Sequence, residues 1–369
     1  MSTEPVTLTV VIPCFNEEDT LRKCVGKVLG IADESLLLEI IIVDDCSTDS
    51  SLSIARELSA EYPRISVLAH EKNQGKGAAL RTGFKKAGGN FVAVQDADLE
   101  YDPEDLKRLL EPLRDGNADV VLGSRFLPQG VHRVLYFWHY MGNRFLTFMS
   151  NMFTDLNITD METCYKVFRR EVIQDVEIEE NRFGFEPEIV AKMAHMRVRI
   201  YEMGISYRGR TYSEGKKIGV KDGFRALYSI FRYNAHKAPI PIQFMLYLFV
   251  GGTAAVVNLL IFLMMFSSGL SLTVSAPAAF FTAACVNYLL CILILFRHRA
   301  KWESLTEMLM YVLAVSFVAI PDFFITKWML TMGYSPVFSK LAATALTLTL
   351  NFAARRFFVF TEPPSGPWG

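Results

Sequence analysis

Asp96 and Asp98 follow a short apolar run with one residue between them, and alternate residues of an extended segment point the same way. Two carboxylates so placed suit a hard divalent cation, Mg2+ or Mn2+, which takes oxygen ligands from protein and substrate phosphate and keeps some of its water. Leu99 and Glu100 extend this acidic cluster, and two more clusters, Pro13-Cys14-Phe15-Asn16-Glu17-Glu18 and Asp44-Asp45-Cys46-Ser47-Thr48-Asp49, also end apolar runs. Any one of them could simply start a helix, and Ser47, Thr48 and Asp49 are expected to cap one. Carboxylates gathered at one edge repel one another unless cations or ligand donors compensate them, so three such clusters together indicate a binding site. Asn73-Gln74-Gly75-Lys76-Gly77 leads into a helical stretch, where free backbone N–H groups and the helix dipole favour an anion such as phosphate. Its spacing is not that of a Walker A loop, and a surface turn is the plainer alternative.

These residues must be held by a regular scaffold. Residues 6–12, 39–43, 65–70, 91–95 and 118–123 read as short strands rich in β-branched residues, and 17–29, 49–62, 75–87 and 103–114 as helices between them. Strands that are apolar throughout and separated by helices predict an α/β fold, a doubly wound, mostly parallel sheet covered on both faces. Ligands of such sheets bind beyond the carboxyl ends of the strands, where the acidic clusters fall.

The chain has 369 residues, 51% hydrophobic and 21% charged, with a mean hydropathy of +0.23, too apolar for an ordinary soluble protein. Residues 241–296 contain no Asp, Glu, Lys or Arg. A hydrocarbon core of roughly 30 Å needs about 20 apolar residues, so four spans are expected, at 243–266, 274–296, 306–330 and 338–360. Arg232, Lys237, the 297–301 loop and Arg355/Arg356 lie on one side of these spans, which predicts a multi-pass membrane protein with both termini and the first domain cytoplasmic. Lys327 and Lys340 lie at the other side and weaken the asymmetry. Asn258, Asn287, Asp322 and Asn351 are expected to face other helices and knit the bundle. Formal net charge is −1, which gives no reason to expect a nucleic-acid partner, and six cysteines without a paired spacing predict buried, reduced thiols. The N-terminus MSTEP lacks the features of a cleaved signal peptide. Positive charge gathers at 197–237, with ten Lys or Arg against three Asp or Glu. Residues 221–237, with Phe224, Leu227, Tyr228 and Phe231, and residues 133–153, with Arg133, His139 and Arg144, are expected as amphipathic helices lying on anionic headgroups, a core-facing helix being the alternative for each.

The segments VIPCFNEE, VDDCSTD, KNQGKGAAL, VQDADLEYDPE, VLGSRF and TDMETCYKVFRRE, in that order, resemble the family 2 glycosyltransferases of GT-A fold, especially the dolichyl/polyprenyl-phosphate mannose synthases, over residues 6–235. The resemblance implies that Pro13, Glu17 and Asp45, with Asn16 and Asp44 beside them, surround the donor's base and ribose. It implies that Asp96 and Asp98 serve donor and metal, Glu100 standing third at the metal where some relatives carry Gln. Arg125, beside Ser124, would face the acceptor. Arg208, Arg210, Ser213 and Lys216 would fall in a loop that closes over the donor diphosphate, with Lys76 and Gly77 also on the donor. Residues 249–252 and 351–360 are similar to the ends of a GtrA-like four-helix membrane domain.

Expected, then, are a catalytic domain at 1–220, an interfacial helix and linker at 221–240 and a membrane domain at 241–361. The expected reaction is transfer of a sugar, GDP-mannose being the first donor to consider, to the phosphate of a polyprenyl or dolichyl phosphate, with inversion and a divalent metal. Asp96, Asp98 and Arg125 would be catalytic, and Ser124, Arg125 and Arg144 would meet the acceptor phosphate. UDP-glucose and UDP-GlcNAc are the alternative donors. A lipid-linked sugar flippase or a membrane scaffold that binds nucleotide sugar are the alternatives of another class. Packing among the spans would permit a homo-oligomer.

Overall fold

The computed structural model describes residues 5–127, 133–134, 136–209, 220–291 and 304–335, and, beyond these, 338, 342, 346–347, 349–350 and 352–359. Contacts divide the chain into two compact units, Met1–Asn234 and Ala235–Gly369.

In the first unit, β1 (Val6–Cys14) and β2 (Leu36–Asp44) read VTLTVVIPC and LLLEIIIVD. Their β-branched residues fit a pleated surface, and Val10, Val11, Ile12, Ile41 and Ile42 are wholly buried because both sheet faces are covered. The first helices are α1 (Leu21–Gly30), α2 (Ser51–Glu61), α3 (Lys76–Lys86) and α4 (Glu104–Arg114). In α4, Leu106, Leu109, Leu110 and Leu113 recur at helical spacing and are buried, while Glu104 and Asp105 in the first turn and Arg114 in the last oppose the helix dipole. The further strands are β3 (Ile65–Ala69), β4 (Phe91–Val94), β5 (Val120–Ser124), β6 (Lys166–Arg169) and β7 (Ile200–Gly204). They form one seven-stranded sheet in the order β3-β2-β1-β4-β6-β5-β7, in which β6 runs antiparallel to both neighbours and the other pairings are parallel. The expected α/β, mostly parallel architecture is therefore present, with the five expected strands in place and two more added. After β3 the chain returns to the far side of β1, so the strand order reverses between β1 and β4 and opens a crevice at their carboxyl ends.

The later helices of this unit are α5 (Phe137–Thr154), α6 (Arg170–Gln174), α7 (Phe185–Met196) and α8 (Val220–Asn234). α5 buries Thr147, Ser150, Phe153 and Thr154 and leaves Trp138, Met141, Phe145 and Phe148 exposed, so much of its apolar surface faces outward. α8 packs against α5 and α7 through Ala226, Ser229, Ile230 and Tyr233, and it leaves Phe224 and Tyr228 exposed.

The second unit contains α9 (Ile240–Ser267), α10 (Leu272–Leu290) and α11 (Ser304–Thr331). The first three expected spans fall on these helices, residues 292–296 and most of the fourth span lying outside the described residues. The window Ile240–Val257 is long and apolar enough to cross a bilayer, with a mean hydropathy of 1.8. Tyr247, Val250, Tyr311 and Val318 contribute to a buried cluster, and the Tyr311 hydroxyl donates to Asn287 Oδ1 at 3.4 Å, the kind of interhelical role expected of Asn287. The 297–301 loop, Lys340 and Asn351, and the side chains of Asn258 and Asp322, lie outside what is described.

Candidate active site at the carboxyl edge of the sheet

Gly75, directly before α3, takes φ +100°, and a Cβ on it or on Gly77 would collide with the carbonyl oxygens of Asn181 and Glu180 respectively. Only glycine lets this loop lie so close to the 180–182 backbone, to which it is tied by Ala78 N–H donating to Asn181 O at 3.1 Å. The next residue, Lys76, reaches across to β4. Its Nζ lies 3.0 Å from Asp96 Oδ1 and 3.2 Å from Glu186 Oε1 on α7. Burial alone would pull the ammonium down, but Asp96, Glu186 and a neighbouring thiol outweigh it and hold its pKa well above the ordinary value. Lys76 is thus a fixed positive charge between the phosphate-type loop and the β4 acids, which rules out the surface-turn reading of that loop.

Asp45 is 3% exposed and both of its oxygens are occupied within the chain. Oδ1 accepts from Gln74 N–H at 2.9 Å and lies 2.7 Å from His70 Nδ1, and Oδ2 accepts from Gly75 N–H at 2.6 Å. Expected at the donor's ribose, Asp45 here holds the 74–75 loop in shape. Its neighbour Asp44 is equally buried: Oδ2 accepts from Ser47 N–H at 3.1 Å, whereas Oδ1 is buried without a partner. A carboxylate oxygen left unsatisfied at the strand end is available to a ligand donor. Asn16 Oδ1 accepts from Thr48 N–H at 2.8 Å, and Asn16 N–H donates to Ser47 Oγ at 3.1 Å, latching the turn after β1 to the turn after β2. Ser47 and Thr48 therefore join two loops instead of capping α2. Asp49 does serve the start of that helix, accepting from Ser51 N–H at 2.9 Å. Glu17 N–H donates to Ser51 Oγ at 2.8 Å, and Pro13 is half-buried a few residues before it. Asn16, Cys46 and Leu99, one in each turn after β1, β2 and β4, have φ of +54°, +62° and +62°, a region that side chains rarely adopt and that clusters at functional sites.

In the turn after β4, Asp98 Oδ1 accepts from Glu100 N–H at 3.1 Å, and Glu100 Oε2 accepts from the Tyr207 hydroxyl at 2.8 Å. Among the described residues no three His, Cys, Asp or Glu side chains stand grouped as a metal site, so the trio Asp96, Asp98 and Glu100 is not clustered as expected. The physical reason is that each has found a donor of its own, the Lys76 ammonium, a backbone N–H and the Tyr207 hydroxyl. The donor set nevertheless fits a hard divalent ion: three half-buried carboxylates on one five-residue turn, one of them already holding a cation.

Arg125, at the end of β5, is bound bidentately by Asp160, with Nε to Oδ2 and Nη2 to Oδ1 both at 2.7 Å. Burial would lower its pKa, but Asp160 outweighs this, and the guanidinium stays charged over the Tyr207 ring, 5.2 Å from its centroid. Ser124, expected at the acceptor phosphate, is fully buried, and its hydroxyl accepts from the N–H groups of Phe126 and Leu127. It shapes the turn that presents Arg125 and is not itself presented to a ligand. Arg144 is exposed on α5, on the same face as Met141, Phe145 and Phe148. Arg210, Ser213 and Lys216 lie outside the described residues.

Sequence reasoning missed His70, Asp160, Glu162, Glu186 and Tyr207 as members of this cluster. Asp160 and Glu162 lie in TDMETCYK and Glu186 in FGFEPE, segments whose acids among apolar neighbours are the available signal. The Glu162 carboxyl is pushed up to about 8 by burial and then by Glu186, with Lys166 and Arg125 opposing and Asp160 adding to the rise.

Residues 9–177 match the family described as Glycosyl transferase family 2, and residues 246–360 match the GtrA/DPMS transmembrane domain. The chain is 30% identical over 215 residues to a dolichol-phosphate mannosyltransferase of Pyrococcus furiosus, covering 57% of this chain and 60% of that protein. It is 29% identical over 220 residues to a low-salt glycan biosynthesis hexosyltransferase of Haloferax volcanii, covering 59% and 52%. The chain thus spans little more than half the length of these two relatives. It is 30% identical over 221 residues to an undecaprenyl-phosphate mannosyltransferase of Micrococcus luteus, covering 57% of this chain and 86% of that protein.

Proposed function

The chain belongs to glycosyl transferase family 2 and is membrane-associated through its GtrA/DPMS domain, and from that membership we propose that it transfers a hexose from a nucleotide sugar to the phosphate of a polyprenyl phosphate, inverting the anomeric carbon. The observation that carries this reading is the Lys76 ammonium, held between Asp96 and Glu186 where the strand order reverses. A fixed cation beside a glycine-shaped loop at a helix N-terminus suits the diphosphate of a nucleotide sugar. Asp44 Oδ1, buried and unsatisfied at the end of β2, suits a hydroxyl or amine donor of the nucleoside.

The proposed mechanism needs little proton chemistry. A phosphomonoester nucleophile is ionised at neutral pH, so no strong general base is required, and alignment against the anomeric carbon supplies much of the acceleration. Asp96, Asp98 and Glu100 would hold Mg2+ or Mn2+, which supplies neutralisation of the charge growing on the departing nucleoside diphosphate. Lys76 adds positive charge on the same side from the α3 N-terminus. Arg125, oriented by Asp160 and stacked over Tyr207, would present its remaining N–H groups to the acceptor phosphate. Arg144, flanked by exposed Phe145 and Phe148, would meet that headgroup at the lipid surface, with the exposed Phe224 and Tyr228 of α8 as a second interfacial contact. The distribution of Lys and Arg around the spans supports a multi-pass orientation with both termini cytoplasmic.

The test is incubation of the purified full chain in detergent with labelled GDP-mannose, UDP-glucose and UDP-GlcNAc, each with undecaprenyl phosphate and with or without Mg2+ or Mn2+. Transfer of label to an acid-labile lipid phosphate, abolished by EDTA, is expected with GDP-mannose. No lipid-linked product from any donor would overturn the reading and favour a flippase or scaffold.

A further inference from the structure

Glu162 stands apart from the rest of the charged cluster in having no partner within it. The buried cations nearby are already committed: Lys76 to Asp96 and Glu186, Arg125 to Asp160, and Lys166 to the carbonyl oxygens of Met161 and Thr163. These bonds leave Glu162 Oε1 buried and unsatisfied. The residue as a whole is only partly buried. It sits four residues before β6, in the turn that begins with Asp160, the partner of Arg125, and it lies within the field of Glu186 on α7, the partner of Lys76. Glu162 is therefore electrostatically coupled to Arg125 and to Glu186, the acid that holds Lys76.

A buried carboxyl with an empty hydrogen-bonding position is costly unless something fills it. Phosphate is a poor ligand here, because the Glu186 and Asp160 carboxylates whose fields reach Glu162 repel an anion. Sugar hydroxyls are the right ligand: they are neutral, they both donate and accept, and they accompany the diphosphate that Lys76 suits. With the carboxyl held neutral by burial and by Glu186, it too can donate as well as accept at neutral pH.

We propose that Glu162 binds hydroxyl groups of the transferred hexose and contributes to the choice of sugar, an inference that rests on the nucleotide-sugar reading of this site. A site built to hydrogen-bond a hydroxyl rejects analogues that lack it far more strongly than an apolar pocket rejects an extra group. The role is recognition of the sugar portion, separate from binding of the nucleoside diphosphate.

The experiment measures calorimetric affinities of the full chain in detergent, with Mn2+, for two pairs of probes: GDP-mannose and GDP, and UDP-glucose and UDP. Wild type is compared with Glu162→Gln, which mimics the neutral acid, and Glu162→Leu, which removes the hydrogen bonds. For the pair that wild type binds, Leu is expected to weaken the nucleotide sugar by about 10- to 100-fold while the nucleoside diphosphate changes by less than about twofold, and Gln is expected to stay within about threefold of wild type for both. Equal weakening of both probes by Leu would assign Glu162 a structural role and overturn the inference, as would unchanged affinity for the nucleotide sugar. Should Leu not fold, Gln decides through its pH dependence: nucleotide-sugar affinity that falls above about pH 8 in wild type but not in Gln supports the inference, and profiles that coincide overturn it. Wild type that binds neither pair would overturn the nucleotide-sugar reading itself, an outcome separate from all of these.

Discussion

Lys76 Nζ lies 3.0 Å from Asp96 Oδ1, so the first residue of α3 is tied to the turn after β4. The contact joins two motifs that are twenty residues apart in the chain and that carry opposite charge. Removing Lys76 takes the cation from Asp96 and Glu186 alike, and removing Asp96 leaves Lys76 with Glu186 alone. A double-mutant cycle of Lys76→Met and Asp96→Asn should therefore give strongly non-additive losses in stability, with a coupling of about 1–3 kcal/mol by chemical denaturation. Additive losses would mean that the pair is not energetically linked.

Asp98→Ala removes one of three carboxylates proposed to hold the cation. Turnover should fall on the order of 10²-fold or more, by analogy with the loss of one electrostatic group at a developing charge. Half-saturation in Mn2+ should move to higher concentration at the same time. Full activity with an unchanged metal requirement would remove Asp98 from the metal set.

Asp45→Asn tests whether this residue shapes the phosphate loop or touches the donor. An amide keeps one acceptor oxygen where the carboxylate offers two, so the N–H groups of Gln74 and Gly75 and the ring of His70 compete for it. A destabilisation of about 1–3 kcal/mol is expected, together with a raised KM for the nucleotide sugar. A raised KM with no change in thermal stability would point to direct donor contact.

Stability should also fall as pH rises, because of Glu162. Its folded-state pKa of about 8 lies above the ordinary value of 4.5, so the folded chain binds the extra proton between those values. The contribution is fully present below about pH 4.5 and is lost as pH rises through about 8. Thermal unfolding in detergent should show Glu162→Gln gaining on wild type between about pH 7 and pH 9. Parallel curves for the two proteins over that range would show that the carboxyl is not protonated in the folded state.

The sheet is legible in the amino-acid sequence where period and composition agree, as they do in the apolar strands from Val6 to Gly123, which announce a buried parallel arrangement. β6 and β7 are not announced: KVFR and IYEMG are short and interrupted by charge, and Lys166 is fully buried only because the 161–163 carbonyls solvate its ammonium. The acids at strand ends are visible as residues, but their partners are not. Asp160 is 35 residues from Arg125, and Glu186 is 110 residues from Lys76, so neither pairing leaves a local pattern. Ser124 shows the opposite failure, since a serine next to a key arginine reads as a ligand and proves to be the hinge of its turn.

Asn16, Cys46 and Leu99 hold a backbone shape that, left to themselves, each would relax out of. Hydrogen bonds hold it, from Ser47 N–H to Asp44 Oδ2 across Cys46, from Glu100 N–H to Asp98 Oδ1 across Leu99 and from Thr48 N–H to Asn16 Oδ1, and each depends on the strand end at which it stands. The rim has no independent endurance. As denaturant is raised, nucleotide affinity and sheet content should vanish together in one transition, with no stage at which the strands persist while the crevice has already come apart.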